Sequence, residues 1–278
     1  MAEMAKKCDG HHPVITVLAG TGFNVLRELG TNCPALDAVG INAYASITSV
    51  PSSVERQGWN KPWLVTEFGP RGHWEVAKSA WGVPLEDTST VKAEFYLKGY
   101  RRAIDGQPAC IGSYTFLWGN KQEKTHTWYG MFLPDRNRLG AVDAMTMAWT
   151  GKPPENRCPE IGAEKIKVRL DNESTNLTRY IFNKGSRLRC TIDATDPDGD
   201  PISIRWDLRR DVSDNPNRGG DREPPTSPLT DAVVSSEKQQ ALIQLPDNEG
   251  NYRIFVYVFD PKGSAATANL PVRVKVDP

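Results

Sequence analysis

An excess of charge of either sign is missing from this sequence: 34 Lys and Arg balance 34 Asp and Glu over 278 residues, for a net charge of zero. Such a chain has no broad basic face, so neither nucleic acid nor an anionic membrane surface is an expected partner. Long apolar runs are also missing, none nearing the roughly 18 residues of a membrane span. Cysteine is sparse, and the five present (Cys8, Cys33, Cys110, Cys158, Cys190) are odd in number and far apart. They define neither a disulfide framework nor a metal-binding pair. The four histidines, His11, His12, His73 and His126, lack metal-ligand spacing, so no catalytic metal is expected. No Gly-x-Ser-x-Gly elbow occurs, which weakens a serine-hydrolase reading. The first residues show no cationic stretch followed by an apolar core and a small-residue cleavage site. Met1 to Cys8 instead reads as the closing turns of an amphipathic helix, and the natural start is expected upstream.

What is present is uneven. Seven of the eight tryptophans (Trp59, Trp63, Trp74, Trp81, Trp118, Trp128, Trp149) fall in the first 150 residues, and only Trp206 lies beyond. The composition divides the chain into a domain over 1–155, a linker over 156–164 and a second domain over 165–278. In the first, apolar runs at Val14 to Ala19, Leu36 to Ala43, Trp63 to Phe68 and Cys110 to Trp118 read as strands. Helical stretches at Phe23 to Leu29, Val54 to Trp59, Val91 to Ile104 and Ala141 to Trp149 alternate with them. Apolar strands separated by helices predict a parallel sheet covered by helices. A nucleotide-binding sheet is disfavoured, because Gly20-Thr21-Gly22 lacks the third glycine, Val25 standing in its place, and no acidic residue ends the next strand. A barrel fits better, although eight βα units need roughly 250 residues and only four are visible.

Polar and aromatic residues gather after the strands, at the edge where α/β folds bind ligands. Glu67 is the sharpest of them: a carboxylate ending the apolar run Trp63-Leu64-Val65-Thr66, followed by Phe68-Gly69-Pro70 and flanked by tryptophans. In a partly desolvated aromatic cleft it can act as nucleophile or proton donor. Tyr44 and Asn42 end the strand before it. Trp118 and Asn120 follow the strand after it, with Trp118 offering a flat face for a sugar ring. The long loops beyond add His73, Trp74 and Trp81, then His126, Trp128 and Tyr129. Singly each aromatic reads as core packing; together they suggest a saccharide site.

The runs Leu36-Asp37-Ala38-Val39-Gly40-Ile41-Asn42-Ala43-Tyr44, Pro62-Trp63-Leu64-Val65-Thr66-Glu67-Phe68-Gly69 and Gly112-Ser113-Tyr114-Thr115-Phe116-Leu117-Trp118-Gly119 resemble strands six, seven and eight of clan A glycoside hydrolases, with the family 2 TIM-barrel domain as the nearest likeness. That resemblance implies strands five to eight of a (β/α)8 barrel. It also implies a retaining mechanism with Glu67 as nucleophile, Tyr44 supporting it and Trp118 as sugar platform. The family's acid/base glutamate follows strand four in an Asn-Glu pair. Here the only such pairs, Asn172-Glu173 and Asn248-Glu249, lie in the second domain. Retaining hydrolysis needs two carboxylates about 5 Å apart. The proton donor is therefore expected from outside this chain, either from a longer parent or from a neighbouring chain that completes the barrel, and the chain alone is expected to be nearly inactive.

From Lys165 the pattern turns to short alternating strands, at Lys165 to Leu170, Arg187 to Ala194, Ile202 to Leu208, Ala241 to Leu245, Tyr252 to Asp260 and Ala265 to Val276. They predict an antiparallel immunoglobulin-like β-sandwich with Trp206 as a core anchor, and a long loop over Asp211 to Pro228. The turn Asp196-Pro197-Asp198-Gly199-Asp200 resembles that of cadherin-like and PKD-like modules, common appendages of extracellular carbohydrate enzymes, which implies an extracytoplasmic or secreted parent. Asp196, Asp198 and Asp200, with Asp193 and Asp260, form either a calcium loop or a polar turn whose carboxylates satisfy the backbone. No other cofactor is expected. Asn172-Glu173-Ser174 and Asn176-Leu177-Thr178 fit the glycosylation pattern.

The leading expectation is thus part of a retaining glycosidase acting on a β-linked oligo- or polysaccharide. The alternative is a non-catalytic carbohydrate-binding or scaffold protein on a degenerate half-barrel. Exposed edge strands of such a half would favour self-association.

Overall fold

The computed structural model describes residues 1–162, 166–171, 180–214 and 223–275. By its contacts the chain divides into two compact units, Met1–Gly72 with Phe95–Phe116, and His73–Glu94 with Leu117–Pro278. The two glycosylation patterns and the Asn172-Glu173 pair lie outside the described residues.

The first unit holds helix α1 (Ala2–Cys8) and a parallel sheet of four strands, β1 (Ile15–Ala19), β2 (Ala38–Asn42), β3 (Trp63–Phe68) and β4 (Cys110–Thr115), paired in chain order. Helix α2 (Val25–Asn32) joins β1 to β2, and α3 (Val50–Arg56) joins β2 to β3. Helix α4 (Ser89–Ala103) begins in the second unit and ends in the first, ahead of β4. The sheet is open, with β1 and β4 at its edges. Its inner strands are buried, as at Val39, Ile41, Val65 and Phe68, while the outer strands expose Ile15, Val17, Ile111 and Tyr114. The strands expected to be buried on both faces are therefore only the central two.

Several boundaries differ from the sequence expectation. Helix α3 begins at Val50, four residues earlier than expected, because Pro51 suits a first helical turn. It ends before Gly58, whose φ of +71° breaks the helical path. Strand β4 stops at Thr115 instead of Trp118. Beyond it the Leu117 backbone exchanges hydrogen bonds with Tyr129 and Met131, both at 3.1 Å, within the second unit.

In the second unit, after β5 (Arg138–Leu139) and α5 (Gly140–Thr150), come β6 (Glu160–Ile161), β7 (Lys167–Leu170), β8 (Ile181–Asn183), β9 (Arg187–Thr191), β10 (Ala194–Thr195), β11 (Ser203–Arg210), β12 (Val233–Glu237), β13 (Gln240–Gln244), β14 (Gly250–Phe259) and β15 (Ser264–Lys275). Strands β6 and β10 pair in a small antiparallel sheet; of the two larger sheets, one runs β11-β14-β15-β5 with β8 also on β15, and the other runs β12-β13-β9-β7. Their inward residues, among them Trp206, Leu188, Cys190, Ile243, Ile254, Val256 and Val272, form one core, so the two sheets make a β-sandwich. Strands β5 and β8 pair with β15 in parallel, which departs from the all-antiparallel expectation. Both are too short to leave a period in the sequence.

The segments 73–94 and 117–137 are fastened to the sandwich by buried polar groups. Glu86 is 1% exposed. Its carboxylate accepts from the Lys92 ammonium, from Thr125 Oγ1 and Asn269 Nδ2 at 2.6 Å each, and from Thr127 Oγ1 at 2.9 Å. Arg253 lies fully buried in β14 and donates to Asn269 Oδ1 (2.7 Å), Asp211 Oδ2 (3.0 Å), Ser213 Oγ (3.0 Å) and the Pro84 carbonyl (3.1 Å). Each buried charge thus has an opposite charge and hydrogen bonds to satisfy it, the condition under which ionised groups tolerate burial. Among the described residues no helix is long and apolar enough to cross a membrane, and the five cysteines form no disulfide.

Candidate functional site

Glu67 stands one residue from the C-terminal end of β3, where a register irregularity pairs it with Asn42 of β2 after Ile41 has paired with Val65. The extra residue is Thr66. Such a bulge turns a side chain out of strict alternation, and here it brings the Glu67 and Asn42 side chains together. Asn42 Nδ2 donates to Glu67 Oε2 at 2.8 Å. Thr66 Oγ1 donates to Asn42 Oδ1 at 2.7 Å, which fixes the amide so that its NH2 faces the carboxylate. The hydroxyl of Tyr44 donates to Glu67 Oε1, and the Ala43 N–H donates to the Glu67 carbonyl at 2.9 Å.

Two glycines make room for this arrangement. A Cβ on Gly40 would come within 2.5 Å of Thr66 Cγ2 and 3.0 Å of Val17 Cγ2. Gly40 therefore leaves space for the threonine that orients Asn42. A Cβ on Gly69 would lie 2.6 Å from the Phe116 carbonyl and 3.2 Å from the Tyr96 hydroxyl. That hydroxyl donates to the same carbonyl, so Gly69 permits the close passage of β3 and the segment after β4. The Tyr44 ring is buried edge-on against Phe116, with centroids 6.3 Å apart.

Glu67 itself is half-buried. Each carboxylate oxygen accepts one charge-assisted bond from a positioned donor, which fixes the plane of the group. An anchored carboxylate of this kind can attack an electrophilic carbon or stabilise a developing cation.

The remaining sequence candidates belong to the second unit. Trp118 is exposed and meets Phe132 edge-on at 4.9 Å. Asn120 spends its amide N–H groups on the carbonyls of His126 (2.9 Å) and Phe132 (3.0 Å), so it shapes its own loop. Trp74 is exposed, and Trp81 is partly buried with its indole N–H unpartnered. His73 packs edge-on against Trp74 at 4.9 Å and Trp128 at 6.1 Å. Burial, aided by the nearby Lys124, pushes its pKa down. Trp128 is only 1% exposed and in this structure offers no face to a sugar; it fills the space between His73 and Tyr129.

The acidic turn differs from its expected arrangement. Asp198 turns to Arg157, taking the backbone N–H at 2.6 Å and the guanidinium at 2.8 Å, and so leaves the other two. Asp260 takes its place: carboxylate oxygens of Asp196, Asp200 and Asp260 lie within 4.8 Å of one another. Asp196 Oδ2 is buried without a partner, while Lys262 Nζ sits 2.9 Å from Asp200 Oδ2. Burial opposes ionisation of Asp260, yet bonds from Asn156 and the Ser264 and Lys262 backbone hold its pKa below the usual range. Asp193 is not among the three.

No family model matches the chain, and no curated protein does. Among solved structures it is similar to β-glucuronidase 2 of Bacteroides uniformis, at 14% identity and a TM-score of 0.39, over 100% of this chain and 30% of that one. It is also similar to a family 39 glycoside hydrolase of Bacteroides cellulosilyticus, at 11% identity and a TM-score of 0.32, over 84% of this chain and 47% of the other. The PKD1 domain of Vibrio anguillarum Epp matches at 15% identity and a TM-score of 0.25, over 44% of this chain and 100% of the domain. The chain thus spans about 30% of the length of the β-glucuronidase it matches. The likeness is to glycoside hydrolases in general and does not single out family 2.

Proposed function

We propose that the chain carries the nucleophile side of a retaining glycoside hydrolase acting on β-linked saccharides. The observation that supports it is the Glu67 carboxylate at a strand's C-terminal end, each oxygen held by a separate donor, Tyr44 and Asn42. In this reading Glu67 attacks the anomeric carbon, and the Tyr44 hydroxyl keeps it aimed until the glycosyl-enzyme forms. The acid/base carboxylate comes from polypeptide outside these residues, completing a barrel of which β1 to β4 are the last four strands. The open edges and exposed apolar side chains of β1 and β4 suit that completion or a second copy. Of the Asn-Glu pairs, Asn248-Glu249 precedes β14 in the second unit.

The test uses the product of the whole reading frame that encodes this chain. Glu67→Gln is expected to cut turnover of aryl β-glycosides by roughly 10⁴-fold or more while leaving ligand binding intact. Glu67→Ala with added azide is expected to release a glycosyl azide of inverted configuration, because azide attacks where the carboxylate stood. Undiminished turnover in Glu67→Gln would overturn the reading. Saccharide binding with no turnover in the unsubstituted protein would favour the non-catalytic alternative.

A further inference from the structure

The second unit contains a cavity of about 700 Å³ between the loop after β4 and strand β11, lined in part by Gln122, His126, Arg205, Arg209, Glu223 and Tyr257. None of its lining belongs to the unit that holds Glu67. It is far larger than the roughly 30 Å³ of one water and falls within the usual size of ligand pockets.

The hydrogen bonding at its wall fixes a tautomer. Tyr257 Oη lies 3.0 Å from Asp207 Oδ2, and that oxygen also accepts from Arg209 Nη2 at 2.6 Å. An ionised carboxylate only accepts, so the single tyrosine proton goes to Asp207. His126 Nε2, 2.7 Å from the same hydroxyl, must then donate to it. That leaves Nδ1 as a bare acceptor, and this atom is buried with no partner although the residue is only 6% exposed. Burial, reinforced by Arg209, pushes the His126 pKa down to about 4, so the ring is neutral near pH 7. Both amide atoms of Gln122, another residue of the lining, are buried without partners. One acceptor and one donor–acceptor pair among the lining residues thus lack a protein partner, a costly arrangement unless a ligand or ordered water completes it.

The charges argue against an anion. Arg209 is paired with Asp207 and Lys121 with Glu123. Arg205 lies over the Tyr257 and Phe259 rings at 4.5 and 5.1 Å. Glu223 and Asp135 add negative charge to the lining, and the lone pair of Nδ1 repels a carboxylate or phosphate. A group that both donates and accepts satisfies every orphan, and a hydroxyl does this without charge. We propose that this cavity is a binding site for a neutral saccharide, with one hydroxyl donating to His126 Nδ1 and a neighbouring hydroxyl bridging the Gln122 amide. It shares no residue with the Glu67 site and stands whether or not Glu67 is a nucleophile.

The test is a nitrogen NMR titration of the ¹⁵N-histidine-labelled chain with cellobiose, lactose, mannobiose and chitobiose, each to about 10 mM, enough to saturate a Kd near 1 mM. The His126 resonances are assigned by their loss in His126→Phe. At least one disaccharide is expected to move the Nδ1 resonance saturably, because a new donor reaches that lone pair. Gln122→Ala is expected to weaken the response about 10-fold and Glu67→Gln to leave it unchanged. No movement with any disaccharide overturns the proposal, as does an equal response to glycerol or to sulfate. Loss of the response in Glu67→Gln would assign the binding to the other site and overturn it too.

Discussion

Glu67 and Glu86 are the same residue type held in opposite ways. Glu67, in the first unit, is half-buried and receives one hydrogen bond on each oxygen from neutral donors, Tyr44 and Asn42. Glu86, in the second, is fully buried, with Lys92 as counter-ion and three further donors on its oxygens. The first carboxylate has its orientation fixed by neutral donors alone. The second has its charge consumed. A carboxylate is useful for chemistry when its environment aligns it without neutralising it, and useful for architecture when its environment does both.

Substitution separates the two. Glu67→Gln is expected to cost roughly 10⁴-fold in turnover in the whole reading-frame product and little in stability, since Gln retains most of the polar contacts. Glu86→Gln is expected to do the reverse, costing about 3–5 kcal/mol in urea unfolding, because it strands the Lys92 ammonium in a dry interior. If both variants lost only stability, Glu67 would belong with Glu86 as an architectural group.

Acid should find the same difference. Burial opposes the Glu86 charge, but Lys92 outweighs it and takes the carboxyl from an ordinary 4.5 to about 2. The stability this contributes is complete above pH 4.5 and lost as pH falls towards 2. His126 adds a second, earlier window. Its folded pKa of about 4 lies below the ordinary 6.5, so the unfolded chain takes up the proton first and stability falls from pH 6.5 to 4. Arg209 and Arg205 add to the burial there, and Glu86 and Asp207 oppose them. The loss is expected to reach about 3 kcal/mol, and His126→Phe should shrink the upper window, to which His73 with its lowered pKa also contributes, while leaving the lower one. Unfolding free energies measured from pH 7 to 2 check both.

Much of the first unit was legible in the sequence, because Leu36 to Ala43 and Trp63 to Phe68 are apolar enough to be inner strands of a parallel sheet and little else. Glu67 was legible for the converse reason, as a charge closing such a run. Glu86 and Lys92 left no such mark. A glutamate in a loop and a lysine in the first turn of α4 look solvated, and only the folded chain shows β14 and β15 covering them. Arg253 was a missed clue: a cation heading the strongly apolar strand Ile254 to Phe259 needs a buried partner, which Asp211 supplies at 3.0 Å. Trp128 misled in the other direction, since composition does not distinguish an aromatic that lines a surface from one that fills a core. The two- and three-residue strands β5 and β8 carry no periodicity at all.

Within the Glu67 site, Tyr44→Phe is a finer test. It removes the donor to Oε1 and leaves the ring packed on Phe116. A hydrogen bond to a charged group is worth about 1.5–3 kcal/mol, so a 10- to 100-fold fall in kcat, with KM little changed, is expected. An unchanged kcat would mean that Asn42 alone holds the carboxylate.

The smallest expected effect concerns the acidic cluster of Asp196, Asp200 and Asp260, where the comparison between spent and available carboxylates recurs. Asp260 is largely spent on Asn156, Lys262 N–H and Ser264 N–H, and Asp200 faces the Lys262 ammonium. Asp196 Oδ2 is buried with nothing opposite it. A divalent cation bound there would complete Asp196 but must displace the lysine. Calcium is therefore expected to bind weakly, in the range of extracellular modules, with a Kd of about 10⁻⁴–10⁻³ M. At ten times Kd it should add about 1.4 kcal/mol to unfolding stability. Lys262→Ala, by removing the competitor, should enlarge that gain, and Asp260→Asn should abolish it. Identical unfolding midpoints in calcium and in chelator, for the unsubstituted chain and for Lys262→Ala alike, would show the cluster to be an architectural turn in which Lys262 already supplies the cation.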